Sequence, residues 1–307
     1  MALYQNHAGF TITGTKLQVV EVIFQNDHFY LENVDEAYFD EPLKIIENKE
    51  TKIVSLLQSS LNELLIKQPL NSTTVSFALP FEIFYIAQIP YDNSLLHQDL
   101  LEEFRWELSV LFPFTSAENL VIQYLEIDKN NFSNFNSAIV YGIERKYLNI
   151  LHKFCSNNNF KLKFLDNVHL ASDRALFASH RQMSKGLTVS VYFGGKHLSL
   201  ILIHDGKPVI SKVFPLHAAD EIPRLLKNEF TSENLKINKF SIDNAFISGE
   251  DLNRSLVKTL NSAVGVEFIY FNPFDKIKAV PHLLKNKFYL EKYNSFSPSA
   301  GIAYRIA

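Results

Sequence analysis

Two stretches of this chain read as strand, tight turn, strand, and they limit the fold more than any other feature. The first is Ala8-Gly9-Phe10-Thr11-Ile12-Thr13-Gly14-Thr15-Lys16-Leu17-Gln18-Val19-Val20-Glu21-Val22. The second is Val189-Ser190-Val191-Tyr192-Phe193-Gly194-Gly195-Lys196-His197-Leu198-Ser199-Leu200-Ile201-Leu202. On both sides of each glycine, apolar residues alternate at the period of a half-buried strand. Each hairpin is followed by a third strand and then by helices. Two such halves, facing each other, make a cleft with one turn on each wall. Backbone N–H groups of turns like these suit a phosphate chain. A phosphate-binding version would carry an aspartate on the first strand of each hairpin, to hold a metal or a water. Thr11 and Tyr192 stand at those places.

The bulk properties narrow the class. A length of 307 residues suggests two domains, and 47% hydrophobic content predicts a folded, globular chain. A net charge of -3 with dispersed lysines argues against a nucleic-acid groove. The single cysteine, Cys155, has no internal disulfide partner, and a reducing compartment is expected. No basic start followed by an apolar run is visible, so no signal peptide is expected. No run of about 20 apolar residues suggests a bilayer span.

Along the chain, 29–39 extends the first hairpin. Residues 45–66 predict a helix, with Ile53, Leu56, Leu57, Leu61, Leu64 and Leu65 at spacings of three and four. Gln68-Pro69 stops it, and 74–80 is a buried strand. A second unit begins near Glu82. Its strand 84–89 leads to a helix that Asp92-Asn93-Ser94 is expected to cap and that runs to Leu111. Strands 119–127 and 137–143, a helix 146–156 and a strand 161–164 complete a small inserted module. A connecting helix spans 167–181. The third region repeats the opening: hairpin strands 188–191 and 198–203, a third strand 208–214 and a helix 220–230. A strand 239–246, the loop Ser248-Gly249-Glu250-Asp251, a helix 252–264, a strand 266–271 and a short terminal helix follow. The expected domains are 1–83 with 167–185, the insertion 84–166, and 186–307.

Several short motifs carry a resemblance. They are Leu79-Pro80 with Ile89-Pro90, Trp106-Glu107 before Phe112-Pro113-Phe114, Asp205-Gly206, Ile247-Ser248-Gly249, Phe271-Asn272-Pro273-Phe274 and Ser299-Ala300-Gly301-Ile302-Ala303. In this order and spacing the chain resembles the actin-like ATPase superfamily and, within it, the PilM-type pilus assembly proteins. General secretion and FtsA-type division proteins are more distant. The resemblance implies an α/β, actin-like (ribonuclease H-like) two-domain fold with an inserted small α+β subdomain. It also implies a cytoplasmic scaffold at the inner face of a type IV pilus or type II secretion-like machine. In that family the inserted subdomain holds a short cytoplasmic peptide of a membrane-anchored partner. Here Phe104, Leu108 and Phe112, with Ile122 and Tyr124 as a floor, are the candidate groove. The alternative reading is that this stripe is the module's own core.

The departures bear on chemistry. The family's first turn has an aspartate and a glycine where this chain has Thr11 and Thr13. A basic residue of the next strand is replaced by Gln18, and the aspartate of the second turn by Tyr192, though Gly194 remains. Gly249 is followed by Glu250, a negative charge in the adenosine loop. A Mg²⁺-holding carboxylate has no substitute in Thr or Tyr, so ATP hydrolysis is not expected and no cofactor is assigned. Thr11, Thr13, Gly14, Thr15 and Lys16 still suit an anion, as do Gly194 and Gly195 with Lys196 and His197. The competing reading of both is a turn whose glycine supplies positive φ. An ATP-binding switch and a self-associating, filament-forming element stay open as alternatives. The histidines show no metal-ligand spacing. Cys155 reads as a structural thiol, and Asp35-Glu36 and Glu102-Glu103 as solvated faces.

Overall fold

The computed structural model describes residues 5–26, 28–180, 185–231, 241–250 and 252–306; Arg181, Lys239, Phe240 and Asp251 of the expected elements lie outside them. Strands β1 (His7–Ile12), β2 (Lys16–Gln25) and β3 (His28–Tyr38) form an antiparallel meander. Helix α1 (Glu50–Lys67) crosses over so that β4 (Thr74–Leu79) lies parallel to β1. The insertion follows: β5 (Phe84–Pro90), α2 (His97–Leu111), β6 (Leu120–Ile127) and β7 (Ser137–Glu144), with sheet order β5-β7-β6. Helix α3 (Arg145–Asn157) and β8 (Lys161–Asn167) come next, and α4 (Val168–Ser179) leads onward.

The second half repeats the first. Strands β9 (Leu187–Gly194), β10 (His197–His204) and β11 (Lys207–Pro215) form a meander; α5 (Ile222–Thr231) crosses to β12 (Ile242–Gly249), parallel to β9. Helix α6 (Arg254–Val264) and β13 (Ile269–Tyr270) close this sheet. The chain then returns to the first sheet through β14 (Lys278–Ala279), α7 (Lys287–Glu291) and α8 (Ser297–Ala303). The sheet orders are β14-β3-β2-β1-β4-β8 and β11-β10-β9-β12-β13.

This repeat corrects one sequence expectation. The strand at 161–164 and the helix before it were expected inside the insertion. Instead β8 pairs in parallel with β4, and α3 packs beside α1 on the first core. They are the counterparts of β13 and α6, and the halves match only if both belong to the first domain. Helix α2 also starts later than expected. The Asp92 carboxylate accepts the Ser94 N–H at 2.9 Å in a local turn, and Leu96 precedes the helix without a side-chain cap. Helix α1 likewise starts at Glu50, after a turn at 45–47.

Strand alternation sends one face of each sheet outward and the other toward the sister sheet. Ala8, Phe10 and Ile12 pack under α1 and α3, while Val189, Val191 and Phe193 pack under α5 and α6. The inward faces carry His7, Gly9 and Thr11 on β1, and Thr188, Ser190 and Tyr192 on β9. They meet α8 and α4, which lie between the sheets. The two helices cross on small residues. A Cβ on Gly301 would strike the Ala171 carbonyl, and one on Gly9 the Ser299 carbonyl. The seam is polar yet buried. His7 contacts the Ala303 carbonyl and Ser76 Oγ at 2.8 Å each, and Thr11 Oγ1 lies 2.6 Å from Ser299 Oγ. His169 reaches Ser199 Oγ at 2.7 Å and Ser190 Oγ at 3.0 Å, and Ser190 donates to Asp173. Burial lowers His7 to about 4 and His169 to about 3, and raises Asp173 to about 7.

Two expectations follow. Gly301→Ala drives a methyl into the α4 backbone and destabilises the protein by about 3 kcal/mol or more in urea unfolding. His7 is neutral in the fold and titrates at the ordinary 6.5 when unfolded, so its contribution is complete above pH 6.5 and is lost as pH falls toward 4. Asp173, with a raised pKa, acts with the opposite sign, so the His7 share shows in a difference. The stability of the native protein minus that of His7→Asn falls between pH 6.5 and 4 by up to about 1.4 kcal/mol per pH unit.

Candidate functional site

The two hairpin turns lie at the C-terminal ends of β1 and β9, and each is packed with the protein's own groups. In the first turn, Thr13 Oγ1 accepts the N–H groups of Thr15 and Lys16 at 3.1 Å each. Those amides are the donors a phosphate would need. Gly14 lies outside the left-handed region, so it is not there to supply positive φ, and a Cβ on it would meet only the Leu43 carbonyl at 3.9 Å. Lys16 does not point at the cleft as a free cation. Its Nζ lies 3.0 Å from Glu36 Oε2, and both side chains are buried. Glu36 also receives Lys292 Nζ at 3.1 Å and Gln18 Nε2 at 3.1 Å. Burial works to raise the Glu36 carboxyl, but Lys16 and Lys292 hold it below the usual carboxylate range. Asp35 and Glu36 are therefore buried members of an ion-pair cluster, which corrects the solvated face read from the sequence. The lysines at 16 and 292 are what make that burial tolerable.

On the opposite wall, Gly195 does adopt positive φ, at 57°. Tyr192 is fully buried. Its ring packs with Ala78, Phe81, Val168, Ala171 and Ile302, with the Phe81 ring edge-on at 6.1 Å and the His169 ring at 5.9 Å. A Cβ on Gly194 would lie 2.7 Å from the Tyr192 ring. Tyr192 thus lies against both α4 and α8, the two helices between the sheets. Its hydroxyl finds no hydrogen-bond partner among the described residues. Burial, then Glu250 and Glu82, push its pKa well above the ordinary value. Glu82 lies 3.5 Å from His197 Nδ1 and ties the start of the insertion to the second turn. Gly249 has φ 141°, a conformation reserved for glycine, because a Cβ would strike the Phe193 carbonyl; Asn294 Oδ1 accepts its N–H at 3.1 Å. Glu250 donates its backbone N–H to the Phe193 carbonyl at 2.9 Å. Tyr192, Gly194, Gly249 and Glu250 thus gather around Phe193, while the first-turn residues Thr13, Thr15 and Lys16 bond among themselves and to Glu36. Phe81, which completes the plug with Ile302, carried no signal beyond being apolar.

The candidate groove residues divide. Phe104 and Leu108 are fully buried between α2 and the insertion sheet, together with Ile122. Phe112 rests half-buried on the Tyr85 ring at 5.2 Å. Ile122 and Tyr124 also border a hollow of about 610 Å³ beside β6, where the Tyr124 hydroxyl lies 2.6 Å from His97 Nδ1. A second recess lies on the opposite face of the insertion sheet. Two adjoining cavities of about 360 and 420 Å³ run between β6, β8 and α4. Val121 and Gln123 of β6 face Leu162 and Phe164 of β8 across the first cavity. Asp166 and Arg305, 3.1 Å apart, border both cavities, and Arg305 stacks over the Phe164 ring at 4.2 Å. Among the described residues, β6 pairs only with β7 and β8 only with β4, so each leaves one edge unpaired.

No protein-family model and no curated protein matches the sequence. Solved structures do. The chain is similar to a chain of the PilM-PilN type IV pilus biogenesis complex, with a TM-score of 0.78 at 16% identity, covering 100% of this chain and 99% of that one. It is also similar to a Bacteroides thetaiotaomicron protein with actin-like ATPase fold and unknown function, with a TM-score of 0.55 at 13% identity, covering 97% and 96%. The fold is actin-like. The repeated halves are the two lobes of that actin-like fold, and the Tyr192 plug sits between them.

The plug predicts an unusual pair of substitutions. Tyr192→Phe deletes an unpartnered hydroxyl and leaves stability unchanged or raised by about 1 kcal/mol. Tyr192→Ala empties the cleft and costs about 3–5 kcal/mol in chemical unfolding.

Proposed function

We propose that this protein is a scaffold subunit of a pilus or secretion-type envelope machine. It holds a short extended peptide from a membrane-anchored partner and does not turn over ATP. The observation that carries this reading is the recess between two unpaired sheet edges. An extended chain laid there gains main-chain hydrogen bonds from β6 or β8, and its alternate side chains enter the apolar pockets beside Val121 and Leu162. Gln123, Asp166 and Arg305 supply the polar contacts that would fix register. The likeness of the whole chain to a PilM-PilN complex chain supports the assignment to such a machine. No helix among the described residues is long and apolar enough to cross a membrane.

The no-turnover part rests on the cleft. The phosphate space is taken by Tyr192, the first-turn amides by Thr13, and the ammonium of Lys16 by Glu36. The residues present do not fit a magnesium nucleotide.

Fluorescence polarisation with cytoplasmic tails of the membrane proteins encoded beside this one tests the first part. One tail binds, and Leu162→Arg weakens it about tenfold or more. Failure of every tail to bind the folded protein would overturn it. A melt with Mg-ATP tests the second part: no shift is expected, and a rise of several degrees would overturn it.

A further inference from the structure

Asp173 on α4 is a buried carboxylate that the seam between the lobes does not neutralise. It is 5% exposed, and the Ser190 hydroxyl donates to its Oδ1. With that proton committed, Ser190 Oγ accepts from His169 Nε2, and His169 Nδ1 accepts from the Ser199 hydroxyl. His169 Nε2 also lies 3.5 Å from Asp173 Oδ1, but burial lowers the imidazole to about 3, so the ring carries no charge. The relay delivers hydrogen bonding to Asp173 and no counter-ion. Among the described residues, no Lys or Arg lies within ion-pair distance of it. Buried charges are normally paired, because an ion stripped of water is stable only beside a partner.

A partner can reach Asp173 from outside. It borders the cavity of about 420 Å³ between β6 and α4. Leu125, Leu170, Phe177 and Pro208 give that cavity apolar walls, which suit the methylene stem of a long basic side chain. The two arginines that border it serve another carboxylate: Arg305 pairs with Asp166 at 3.1 Å, and Arg174 feels the same group. With Asp173 ionised, these two arginines and two aspartates balance, so the cavity does not repel a cation. No three metal-ligating side chains converge among the described residues, so an organic cation suits the site better than a metal ion.

We infer that Asp173 anchors one cationic side chain, lysine or arginine, of the extended peptide. The inference rests on the peptide reading above and adds the partner's chemistry to it. The peptide backbone lies in the first cavity, and one basic side chain turns past Gln123 into the second, where its charge is the counter-ion of Asp173. Ser190 and His169 hold the carboxylate still, so the anchor is rigid.

Binding then depends on pH in one direction. In the free protein burial raises Asp173 to about 7, so below that a cation must displace a proton, and affinity falls by up to about tenfold per pH unit. The other ionisable groups around the cavity are Tyr124 and Tyr141, both raised, and Asp166, raised by burial but held by Arg305 and Arg174. Their contributions are shared with Asp173→Asn, which keeps the shape and an acceptor for Ser190.

Two measurements on the full chain test the anchor. In the first, each Lys and Arg of a binding tail is replaced by norleucine, and affinity is read by fluorescence polarisation. One replacement weakens the native protein at least about tenfold and leaves Asp173→Asn unchanged. Native affinity also falls relative to Asp173→Asn between about pH 8 and 6. In the second, n-butylguanidinium and neutral n-butylurea, each at about 20 mM, are compared in thermal melts near pH 8. The guanidinium shifts the native midpoint upward relative to its effect on Asp173→Asn by about 1 °C or more, and the urea does not. The first measurement decides where a tail binds, the second where none does. A tail that Leu162→Arg weakens, but that tolerates neutralisation of every Lys and Arg or shows no coupling to Asp173→Asn, overturns the anchor and leaves the peptide reading standing. If no tail binds and the guanidinium separates native from Asp173→Asn, the anchor is supported and the peptide reading falls. If neither tail nor guanidinium binds, both are overturned.

Discussion

Everything in this structure hangs on the close crossing of α4 and α8 between two sheets. Gly301 brings the helices near enough for backbone to touch backbone, and Gly9 lets α8 lie directly on β1. Such proximity leaves no room for large side chains, so the seam is built of Ala, Ser and Gly with two histidines at its margins. The polar atoms this traps are satisfied pairwise: Thr11 with Ser299, Ser172 with Ser248 and Ser297, His169 with Ser190 and Ser199. The Thr11–Ser299 and Ser172–Ser297 bonds join elements far apart in sequence, so forming them presupposes that the chain has already returned to the first sheet. The seam therefore specifies the relative position of the lobes in a way that apolar packing alone would not.

The residues of the two hairpins spend their polar groups on one another and on the helices between the sheets. Strand register puts residue 11 of β1 and residue 192 of β9 on the inward faces of their lobes, where each meets a central helix. In one lobe the position is a threonine, satisfied by α8. In the other it is a tyrosine that reaches across to Phe81 and Ile302. The lysine of the first turn is drawn sideways into the Glu36 cluster. What would be donors and space for a ligand are used internally, so the gap between lobes behaves as core.

Much of this was legible in the sequence, and the exceptions have physical reasons. The hairpins, the repeat and the order of strands followed from alternation and glycine placement, which are local signals. The extent of the insertion was misjudged because 161–164 reads as a strand in either domain; only pairing with β4, set by tertiary contacts, assigns it. Asp35 and Glu36 read as solvated because adjacent carboxylates usually are, and their partners, Lys67 for Asp35 and Lys292 for Glu36, lie well along the chain. Phe104 and Leu108 formed a stripe that the sequence could not tell apart from a groove, because buried and ligand-lining faces have the same composition. The recess between β6 and β8 left no motif at all. It arises from two sheet edges that happen to face each other.

The wedged position of the insertion has a mechanical corollary. Its sheet contributes Ile143 to one lobe and Ile139 and Tyr141 to the other, while Glu82 and His197 bolt its root to the far hairpin. With the tyrosine ring packed on Phe81, Ala171 and Ile302, any displacement of β9 away from α4 and α8 would uncover that apolar surface to water, so the packing itself resists such a movement.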